Sequence, residues 1–425
     1  MINIFKQIYN NTNYMSGIKY PIRLEDAKKY TYQFWKNKPT MKLSETYVNS
    51  EKIENLSERK IYSSPDPLKI PSSLSWNLID INNDEQLNNF VNFLNENYKT
   101  GKKYKLSYSN SYLRWVLGND NIILSLVENE TKNIVGGIAS CFKNSTVYNI
   151  TDNFATVPYL CVHPKYRNKK MCGVLIDEVI RRIVQEKKCD KGFFATNYCV
   201  PSPVAYINYY HRMINFKLLN KVGIVNITND NDVKKYEKMF QTGNKSAHDD
   251  NYVLLNEKYL QETLDIYNLW SNKFNIHQNY TLESFRETFI NENVKTYVIL
   301  NKDKKVVDFM SYYVLPYSLN EGGQINVAYL YTYTALEEPL KAIFDNLIKI
   351  AVNENFDLLT VSDLMNVSDV LLCRKSNITS VFKKEEYEKV FEYKFIKGVE
   401  TKYFNLFNLT SPDVKSDQIS LLIPN

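Results

Sequence analysis

A basic turn between an apolar strand and an amphipathic helix restricts the fold of this chain more than any other segment. Residues 159–162 are apolar, and the helix predicted after the turn has one apolar face of 3.6-residue period. That face consists of Leu175, Ile176, Val179, Ile180, Ile183 and Val184. Arg167, Lys169 and Lys170 lie at the N-terminus of this helix, where the helix dipole disfavours cations. A bound anion such as a pyrophosphate would remove the conflict, whereas a solvated basic turn is the alternative explanation.

A second strand–helix unit follows about 170 residues later. Residues 327–330 (VAYL) echo residues 157–160 (VPYL), and the next predicted helix begins at Glu337, Glu338 and Pro339. Proline suits a first helical position and acids suit the dipole, so this helix needs no external anion. Its apolar face consists of Leu340, Ile343, Phe344, Leu347 and Ile348. We interpret the chain as a duplicated α/β unit of which only the first copy binds phosphates, although four similar residues also fit coincidence.

Length, composition and charge exclude several classes of protein. The 425 residues correspond to two or three domains, or to one large fold built from two halves. With 44% hydrophobic and 24% charged residues, the chain is not a disordered protein, a collagen or a coiled coil. No apolar run reaches the roughly 20 residues of a membrane-spanning helix, and the net charge of +6 is modest for a nucleic-acid binder. We expect a cytoplasmic protein with no nucleic-acid partner and no stable membrane insertion. The Asn/Lys/Tyr-rich composition is typical of AT-rich viral or protist genomes, and a viral protein would act in the host cytoplasm.

The cysteines and histidines do not indicate a metal site. The six cysteines include no C-x-x-C pair and no metal-ligand spacing with the four histidines. Buried or incidental thiols explain them, so we expect neither a bound metal nor a disulfide framework.

The N-terminal region is predicted to be an arm. Residues 1–65 are polar and irregular, and Pro39, Pro65 and Pro67 interrupt this region and its end. Hydrophobic periodicity then predicts a helix over 84–98, paired strands over 122–127 and 134–142, and a buried strand over 157–162.

Several short motifs occur in a fixed order from about residue 32 to the C-terminus. They are Tyr32-Gln33-Phe34-Trp35 for Y-K-F-W, residues 94–98 for L-N-E-N-Y, residues 158–163 and 167–170 for N-F-L-C-V-H and R-S-K-R, residues 209–212 for Y-W-H-R, residues 308–311 for D-F-L-S, residues 363–365 for D-L-M, and residues 394–395 for K-F. In this order they resemble the motifs of the eukaryotic-type glycylpeptide N-myristoyltransferases.

The resemblance implies a mixed α/β (α+β) fold of two acetyltransferase-like, GNAT-type halves related by a pseudo-twofold. Residues 1–65 would form the N-terminal arm, 66–222 the acyl-CoA-binding half and 223–425 the peptide-binding half. The family transfers a myristoyl group from myristoyl-CoA to the N-terminal glycine amine of proteins. We therefore expect myristoyl-CoA as acyl donor, Gly-initiated peptides or proteins as partners, and a monomer.

The resemblance also assigns residues to the acyl donor. Acyl transfer needs N–H donors for the oxyanion, and the family supplies the backbone amides that correspond to Tyr159 and Leu160. Neither residue is proline, and a β-bulge at this point would free both N–H groups. The residues assigned to myristoyl-CoA are Tyr32, Gln33, Phe34, Trp35, Leu160, Cys161, Val162, Arg167, Asn168, Lys169, Lys170, Met171 and Cys172.

The glycine amine must lose a proton, because only a neutral amine is nucleophilic and the α-amino pKa lies near 8. The family uses its C-terminal carboxylate as the base, which corresponds to Asn425 at the end of an apolar tail. The tail is one residue longer than the family ending, so Asn425 serves only if the tail bulges. Pro158 replaces a family asparagine, and Ala195-Thr196 displaces by one position the hydroxyl that helps to hold the amine.

The peptide substrate is assigned by the same resemblance to a second set of residues. It consists of Tyr104, Leu106, Tyr108, Thr196 and His211, with Trp115 in the same order as a family pocket. We expect His211 to bind rather than to transfer a proton.

Three functions stay open on the sequence. The first is an active N-myristoyltransferase. The second is a catalytically impaired homologue that binds acyl-CoA or lipopeptides, which the departures at Pro158, Ala195 and the chain end favour. The third is an acetyltransferase for short acyl chains, which a filled channel behind Leu160 would support.

Overall fold

The protein is a mixed α/β structure in which one large sheet carries helices on its faces. This computed structural model describes residues 21, 24–98, 103–197, 199–200, 202–240, 247–367 and 394–424. Its helices are α1 Leu24–Lys29, α2 Lys60–Ser63, α3 Asp84–Asn97, α4 Asn110–Leu117, α5 Met171–Lys187, α6 Phe216–Lys221, α7 Asp230–Phe240, α8 Leu260–Ser271, α9 Leu282–Phe289 and α10 Leu340–Asn353. Across these ranges, none of the helices is long and apolar enough to cross a membrane.

The strands form one large mixed sheet and one small sheet. They are β1 Leu74–Leu78, β2 Tyr104–Leu106, β3 Asn121–Glu128, β4 Ile134–Val147, β5 Ile150–Val162, β6 Gly192–Thr196, β7 Ala205–Met213, β8 Tyr252–Leu254, β9 Ile276–Gln278, β10 Val294–Leu300, β11 Val306–Val314, β12 Tyr317–Leu319, β13 Gln324–Ile325, β14 Val327–Tyr333, β15 Leu358–Ser362, β16 Ile396–Phe407 and β17 Ile419–Ser420. The small sheet has the order β13-β12-β2.

The strand order of the large sheet reveals the duplication. Its main path is β1-β3-β4-β5-β6-β16-β7-β15-β14-β11-β10-β8. The order has the same form from either edge, because β1, β3, β4, β5 and β6 correspond to β8, β10, β11, β14 and β15. At the centre the halves exchange their last strands, since β16 lies beside β6 and β7 lies beside β15. The strand pairs β5–β6 and β14–β15, each connected through a helix, are both parallel. Two similar α/β halves thus share a pseudo-twofold, which confirms the predicted fold class.

The repeated letters that suggested the duplication lie on equivalent strands but at different positions. Ala155 pairs with Gly192, the first residue of β6, whereas Val327 pairs with Leu358, the first residue of β15. Val157 is therefore two positions further along its strand than Val327. The duplication is present in the topology, and the four similar residues do not mark equivalent sites.

Helix α5 buries two adjacent apolar stripes, which explains why its apolar residues occur in neighbouring pairs. One stripe packs against the sheet and consists of Leu175, Val179 and Ile183. The other packs against the N-terminal arm and consists of Ile176, Ile180 and Val184, with Leu56 and Tyr62 of the arm. Where it is described, the arm contains α1, α2 and short 3-10 turns rather than being wholly irregular. It is held in place by the helix that follows the basic turn.

The elements predicted in the first half are present with nearly the predicted bounds. Helix α3 begins after Asn83, whose side chain accepts a hydrogen bond from the Gln86 N–H. Strands β3 and β4 form the predicted antiparallel pair, and both extend beyond the predicted ends. The start of α10 was predicted wrongly. The helix begins at Leu340 with Pro339 as its N-cap, and Glu337 and Glu338 precede the helix instead of forming its first turn.

A buried carboxylate from β11 accepts hydrogen bonds from the segment before α10. Asp308 of β11 is fully buried and accepts hydrogen bonds from the N–H groups of Leu336, Glu337 and Glu338 at 2.7–2.9 Å. It also accepts one from the Thr334 hydroxyl at 2.7 Å. The N–H groups that precede this helix therefore bind the carboxylate of Asp308. The side chains of Glu337 and Glu338 do not supply this anion.

The first half carries no acid at the equivalent position. Ala155 and Val327 are equivalent, because each pairs with the first residue of the next parallel strand. Six residues further along are Cys161 and Tyr333, which pair with Gly137 and Met310. Two residues earlier on the partner strands are Val135 and Asp308. A buried valine in the first half thus corresponds to the carboxylate that serves the second half.

Asp308→Ala should lower the free energy of unfolding by at least about 3 kcal/mol, because it leaves three N–H groups and the buried Thr334 hydroxyl without their acceptor. Asp303→Ala removes an exposed carboxylate from a nearby turn and should change the stability by less than about 0.5 kcal/mol. Urea unfolding followed by circular dichroism measures both. Equal losses in the two variants would contradict the anchoring role of Asp308.

Candidate active site

The strands β5 and β6 separate shortly after they meet. They pair only at Ala155 with Gly192 and at Thr156 with Phe193. A Cβ on Gly192 would lie 2.6 Å from the Ala155 carbonyl oxygen, so only glycine allows this close approach. Beyond Thr156, β5 continues along β4 to Val162 while β6 continues along β16. We call the resulting opening between residues 157–162 and 194–196 the fork.

A β-bulge lies at the base of the fork. Ala139 pairs with Tyr159 and Cys141 pairs with Thr156, so β5 uses three residues where β4 uses two. Pro158 lies inside this bulge, where its missing N–H removes no regular ladder bond. The sequence analysis considered a bulge near Tyr159 and Leu160 as a way to free both N–H groups, and the bulge lies just before them.

The bulge determines where the two predicted oxyanion donors point. The Ala155 N–H donates to the Lys191 carbonyl and the His163 N–H donates to the Val135 carbonyl, both at 2.9 Å. Because N–H directions alternate along a strand, these bonds direct the Tyr159 N–H toward β4 and the Leu160 N–H toward the fork. One of the two predicted amides therefore faces the opening.

The basic turn joins the fork to the start of α5. Arg167 donates from Nε to the Val162 carbonyl at 2.9 Å and from Nη2 to the Asn97 carbonyl at 3.0 Å. Asn168 and Lys170 have φ values of 63° and 61°, which residues other than glycine seldom adopt. Lys170 is the N-cap of α5 and its side chain makes no capping hydrogen bond.

The remaining side chains of this turn are placed as follows. Lys169 Nζ lies 5.0 Å from the centre of the Tyr166 ring. Met171 and Cys172 form the first turn of α5, so their N–H groups lie where a helix has no internal acceptors. Burial raises the pKa of the Cys172 thiol, and it raises that of Cys161 to about 12, so both stay protonated at neutral pH.

The arm contacts both borders of the fork. Trp35 stacks on Phe194 of β6, with ring centres 5.1 Å apart and ring planes 3° apart. A Cβ on Gly173 of α5 would lie 3.0 Å from the Phe34 ring, so the arm packs directly on the first turn of this helix. The Tyr32 hydroxyl donates to the Cys199 carbonyl at 2.5 Å, while Gln33 is exposed. Of the four predicted arm residues, Phe34 thus contacts the first turn of α5, while Trp35 and Tyr32 contact residues in and after β6.

An aromatic cluster backs the bulge. Tyr159 is fully buried, and its ring centre lies 5.5 Å from that of Tyr108 and 6.2 Å from that of Tyr98. Burial raises the pKa values of Tyr108 and Tyr159, so both phenols are neutral. Tyr104 and the buried Leu106 lie in β2, which pairs with β12. The predicted substrate residue Tyr108 therefore contacts the predicted oxyanion segment, whereas Tyr104 and Leu106 lie on the small sheet.

A cleft opens beside the bulge, and the last described residues run into it. Strand β17 pairs with β9, and β9 pairs with β4, which directs residues 421–424 along the sheet toward Pro158. About 440 Å³ of space, a figure that includes open solvent, lies between the lining residues of the cleft, and the part that they enclose has room for about one water molecule. Its lining residues are Trp115, Val116, Cys141, Lys143, Thr156, Pro158, Gln278, Thr288, Tyr331, Leu421, Leu422, Ile423 and Pro424. We call it the tail cleft. Asn425, the predicted base, lies outside the described residues.

Several residues of the tail cleft had no signal in the sequence. They are Lys143, Thr156, Gln278, Thr288 and Tyr331. Each stands alone in an ordinary strand or helix, and only the pairing of distant strands brings them together. Trp115 was noted in advance, and its indole N–H donates to the Thr288 carbonyl at 3.1 Å.

Two predicted substrate residues lie away from this cleft. Thr196 ends β6 and pairs with Tyr403 of β16. His211 lies in β7, and its Nδ1 is 3.0 Å from the Thr360 hydroxyl. Neither lines the tail cleft. Among the residues that the structure describes, no group of three or more His, Cys, Asp or Glu side chains could hold a metal ion.

Two family models match this chain. The "Myristoyl-CoA:protein N-myristoyltransferase, N-terminal domain" matches residues 53–207. The corresponding C-terminal domain matches residues 221–417. Together they cover most of the chain.

Curated relatives and solved structures are similar over long stretches. "Glycylpeptide N-tetradecanoyltransferase 2" of Bos taurus is 25% identical over 425 residues, covering 96% of this chain and 80% of the relative. The Kluyveromyces lactis "Glycylpeptide N-tetradecanoyltransferase" is 28% identical over 322 residues, covering 72% and 70%. A structure of Saccharomyces cerevisiae N-myristoyltransferase with bound myristoyl-CoA has a TM-score of 0.78 at 21% identity and covers 92% of each chain, which shows the shared fold.

The stability of the protein should depend on pH through His211. Burial lowers its pKa to about 4, so as the pH falls from 6.5 the unfolded chain binds a proton before the folded chain does. The contribution of a neutral His211 is therefore complete above pH 6.5 and is lost as the pH falls toward 4. Unfolding of the wild type and of His211→Gln should show a wild-type-minus-variant difference that decreases across this window. A difference that is constant or grows in acid would contradict the assignment.

Proposed function

The chain belongs to the N-myristoyltransferase family, and on that premise we propose that it transfers a myristoyl group from myristoyl-CoA to the N-terminal glycine amine of a peptide or protein. It acts as an acyltransferase. The observation that carries the proposal is the fork, because the Leu160 N–H faces an opening that adjoins the tail cleft. A thioester in the fork and an amine in the cleft would meet at the bulge.

The Leu160 amide supplies the electrostatic part of catalysis. When the amine attacks, the thioester carbon becomes tetrahedral and its oxygen takes a negative charge. A fixed N–H donor at that oxygen is worth about 10²–10³ in kcat in comparable acyl transfers. The direction of the Leu160 N–H supports this role, whereas the Tyr159 amide as a second donor stays a prediction.

The turn before α5 and the arm bind the coenzyme A portion. The N–H groups of Met171 and Cys172 lie at an N-terminus without a capping side chain, next to the cations of Lys169 and Lys170. In the second half, the N–H groups of the segment before α10 are occupied by Asp308, and the first half has Val135 at the position of that acid. This contrast supports a bound pyrophosphate in the first half. Phe34 and Trp35 would cover the coenzyme A portion, while Leu160, Cys161 and Val162 would lie along its side.

The base for the glycine amine is the terminal carboxylate of Asn425. The α-ammonium has a pKa near 8, so a base must remove a proton from most of the substrate at neutral pH. Residues 421–424 line the tail cleft, which supports delivery of the next residue toward the bulge. The protonated thiol of coenzyme A leaves when the tetrahedral intermediate collapses to the amide.

We extend the proposal to the organisation and setting of the chain. Residues 1–65 form the arm, residues 66–222 the acyl-CoA-binding half and residues 223–425 the peptide-binding half. Tyr104, Leu106, Tyr108, Thr196 and His211 stay predicted contacts of the peptide beyond its amine, because none of them lines the tail cleft. The exposed large apolar side chains of the described part are scattered over many elements, which supports a monomer. A net charge of +6 over 425 residues supports the absence of a nucleic-acid partner. The compartment we propose is the cytoplasm.

Release of free thiol from myristoyl-CoA tests the activity and its base together. The wild type should release thiol with Gly-initiated peptides and not with matched Ala-initiated peptides. A chain ending at Ile423 should lose about 10²-fold or more in kcat, as expected when a general base is removed. Asn425→Ala keeps a terminal carboxylate at the same position and should retain activity.

The outcomes separate the alternatives. Activity in the shortened chain would exclude the terminal carboxylate as base. Tight binding of myristoyl-CoA without thiol release from any variant would mean that the chain is an impaired acyl-CoA-binding homologue. Acetyl-CoA turnover above that of myristoyl-CoA would mean a short-chain acyltransferase.

A further inference from the structure

We propose that the Thr156 hydroxyl holds the main chain of the peptide substrate in the tail cleft, as a positioning residue for the transfer. The proposal rests on the function proposed above and adds a residue to it. Thr156 is 95% buried, since its exposed fraction is 5%, and its Oγ1 has no hydrogen-bond partner. The same residue lines the tail cleft. A buried hydroxyl without a partner, on a residue that lines a cleft, points to a ligand that supplies one.

Burial without a partner is unfavourable for a hydroxyl. An unsatisfied buried polar group costs about 1–3 kcal/mol, and valine has nearly the same shape without this cost. The other two hydroxyls of the cleft are satisfied, because Thr288 Oγ1 donates to the Ser284 carbonyl at 2.8 Å and the Tyr331 hydroxyl is hydrogen-bonded to Tyr280. Thr156 is therefore the cleft hydroxyl whose hydrogen-bonding capacity is left for an incoming group.

The position of Thr156 in the sheet fits a contact with the substrate. Thr156 is the last residue of β5 that pairs with both neighbours, with Cys141 of β4 and Phe193 of β6. The fork begins at the next residue. Leu160 lies four residues further along β5, at most about 13 Å away for an extended strand. A peptide whose amine lies at the bulge would therefore have its first residues near this hydroxyl.

On β5, Thr156 supplies the polar side chain next to the bulge. Pro158 has no backbone N–H and no polar side chain, although it lines the same cleft. Thr196, the hydroxyl that the sequence favoured for the substrate, lies at the end of β6 and does not line the cleft. The ligand that fits Thr156 is an amide N–H or carbonyl of the peptide backbone, because a hydroxyl can accept from one and donate to the other.

Thr156→Val removes the hydroxyl and keeps the shape. We expect the KM for a Gly-initiated peptide to rise about 3- to 10-fold, as for the loss of one neutral hydrogen bond. The KM for myristoyl-CoA should stay unchanged. The free energy of unfolding should not fall, because no hydrogen bond within the protein is lost. Thr156→Ser restores a hydroxyl and should return the peptide KM toward the wild-type value.

Ser140→Ala is the matched control. Ser140 lies on β4 opposite the bulge, is fully buried, and also has a hydroxyl without a partner, but it does not line the cleft. We expect no change in its peptide KM. A wild-type peptide KM in Thr156→Val, or an equal rise in Ser140→Ala, would overturn the proposal.

A binding measurement keeps this test separate from the activity. If the wild type releases no thiol, the proposed function fails, and fluorescence anisotropy of a labelled Gly-initiated peptide with myristoyl-CoA present then tests Thr156. A 3- to 10-fold weaker Kd for Thr156→Val supports the positioning role even without turnover. An unchanged Kd, or no peptide binding by the wild type, overturns it.

Discussion

The separation of β5 from β6 after Thr156 is the constraint on which the rest of the site depends. Adjacent parallel strands normally use the N–H groups that point toward each other along their whole length, and here two residue pairs are made before the strands diverge. The bulge at Val157 and Pro158 shifts the alternation of β5, which directs the Leu160 N–H into the opening. A donor that is free of the ladder, and fixed by β4 on its other side, is what an acyl-transfer site requires.

The two halves related by the pseudo-twofold differ in the groups that lie before their helices. In the second half, the Asp308 carboxylate binds the N–H groups before α10, and the Tyr333 hydroxyl donates to the Met365 carbonyl across the ends of β14 and β15. In the first half, the register puts Val135 where Asp308 would be, and cations precede α5. The same topology therefore places a buried carboxylate before the helix in one half and cations in the other, as the proposed anionic ligand requires.

Local signals in the sequence predicted much of this arrangement. Strand, turn and helix around residues 159–184 follow from apolar periodicity and clustered charge, and the family motifs locate the arm. The sequence did not predict the tail cleft, because Lys143, Thr156, Gln278 and Tyr331 lie on separate elements that meet only through sheet pairing. Nor could it predict that the Asp308 carboxylate, rather than Glu337 or Glu338, serves α10, since that contact spans about 30 residues. The direction of the N–H groups after the bulge could not be predicted either, because it depends on how β5 pairs with β4.

The most direct measurement is a crystal structure with a non-reactive thioether analogue of myristoyl-CoA that retains the acyl carbonyl. The account predicts that its carbonyl oxygen lies about 3 Å from the Leu160 nitrogen, with the pyrophosphate at the first turn of α5 and Phe34 over it. An analogue bound outside the fork, or β5 and β6 paired through Leu160 in the complex, would contradict the central claim that the separated strands form the acyl-transfer site.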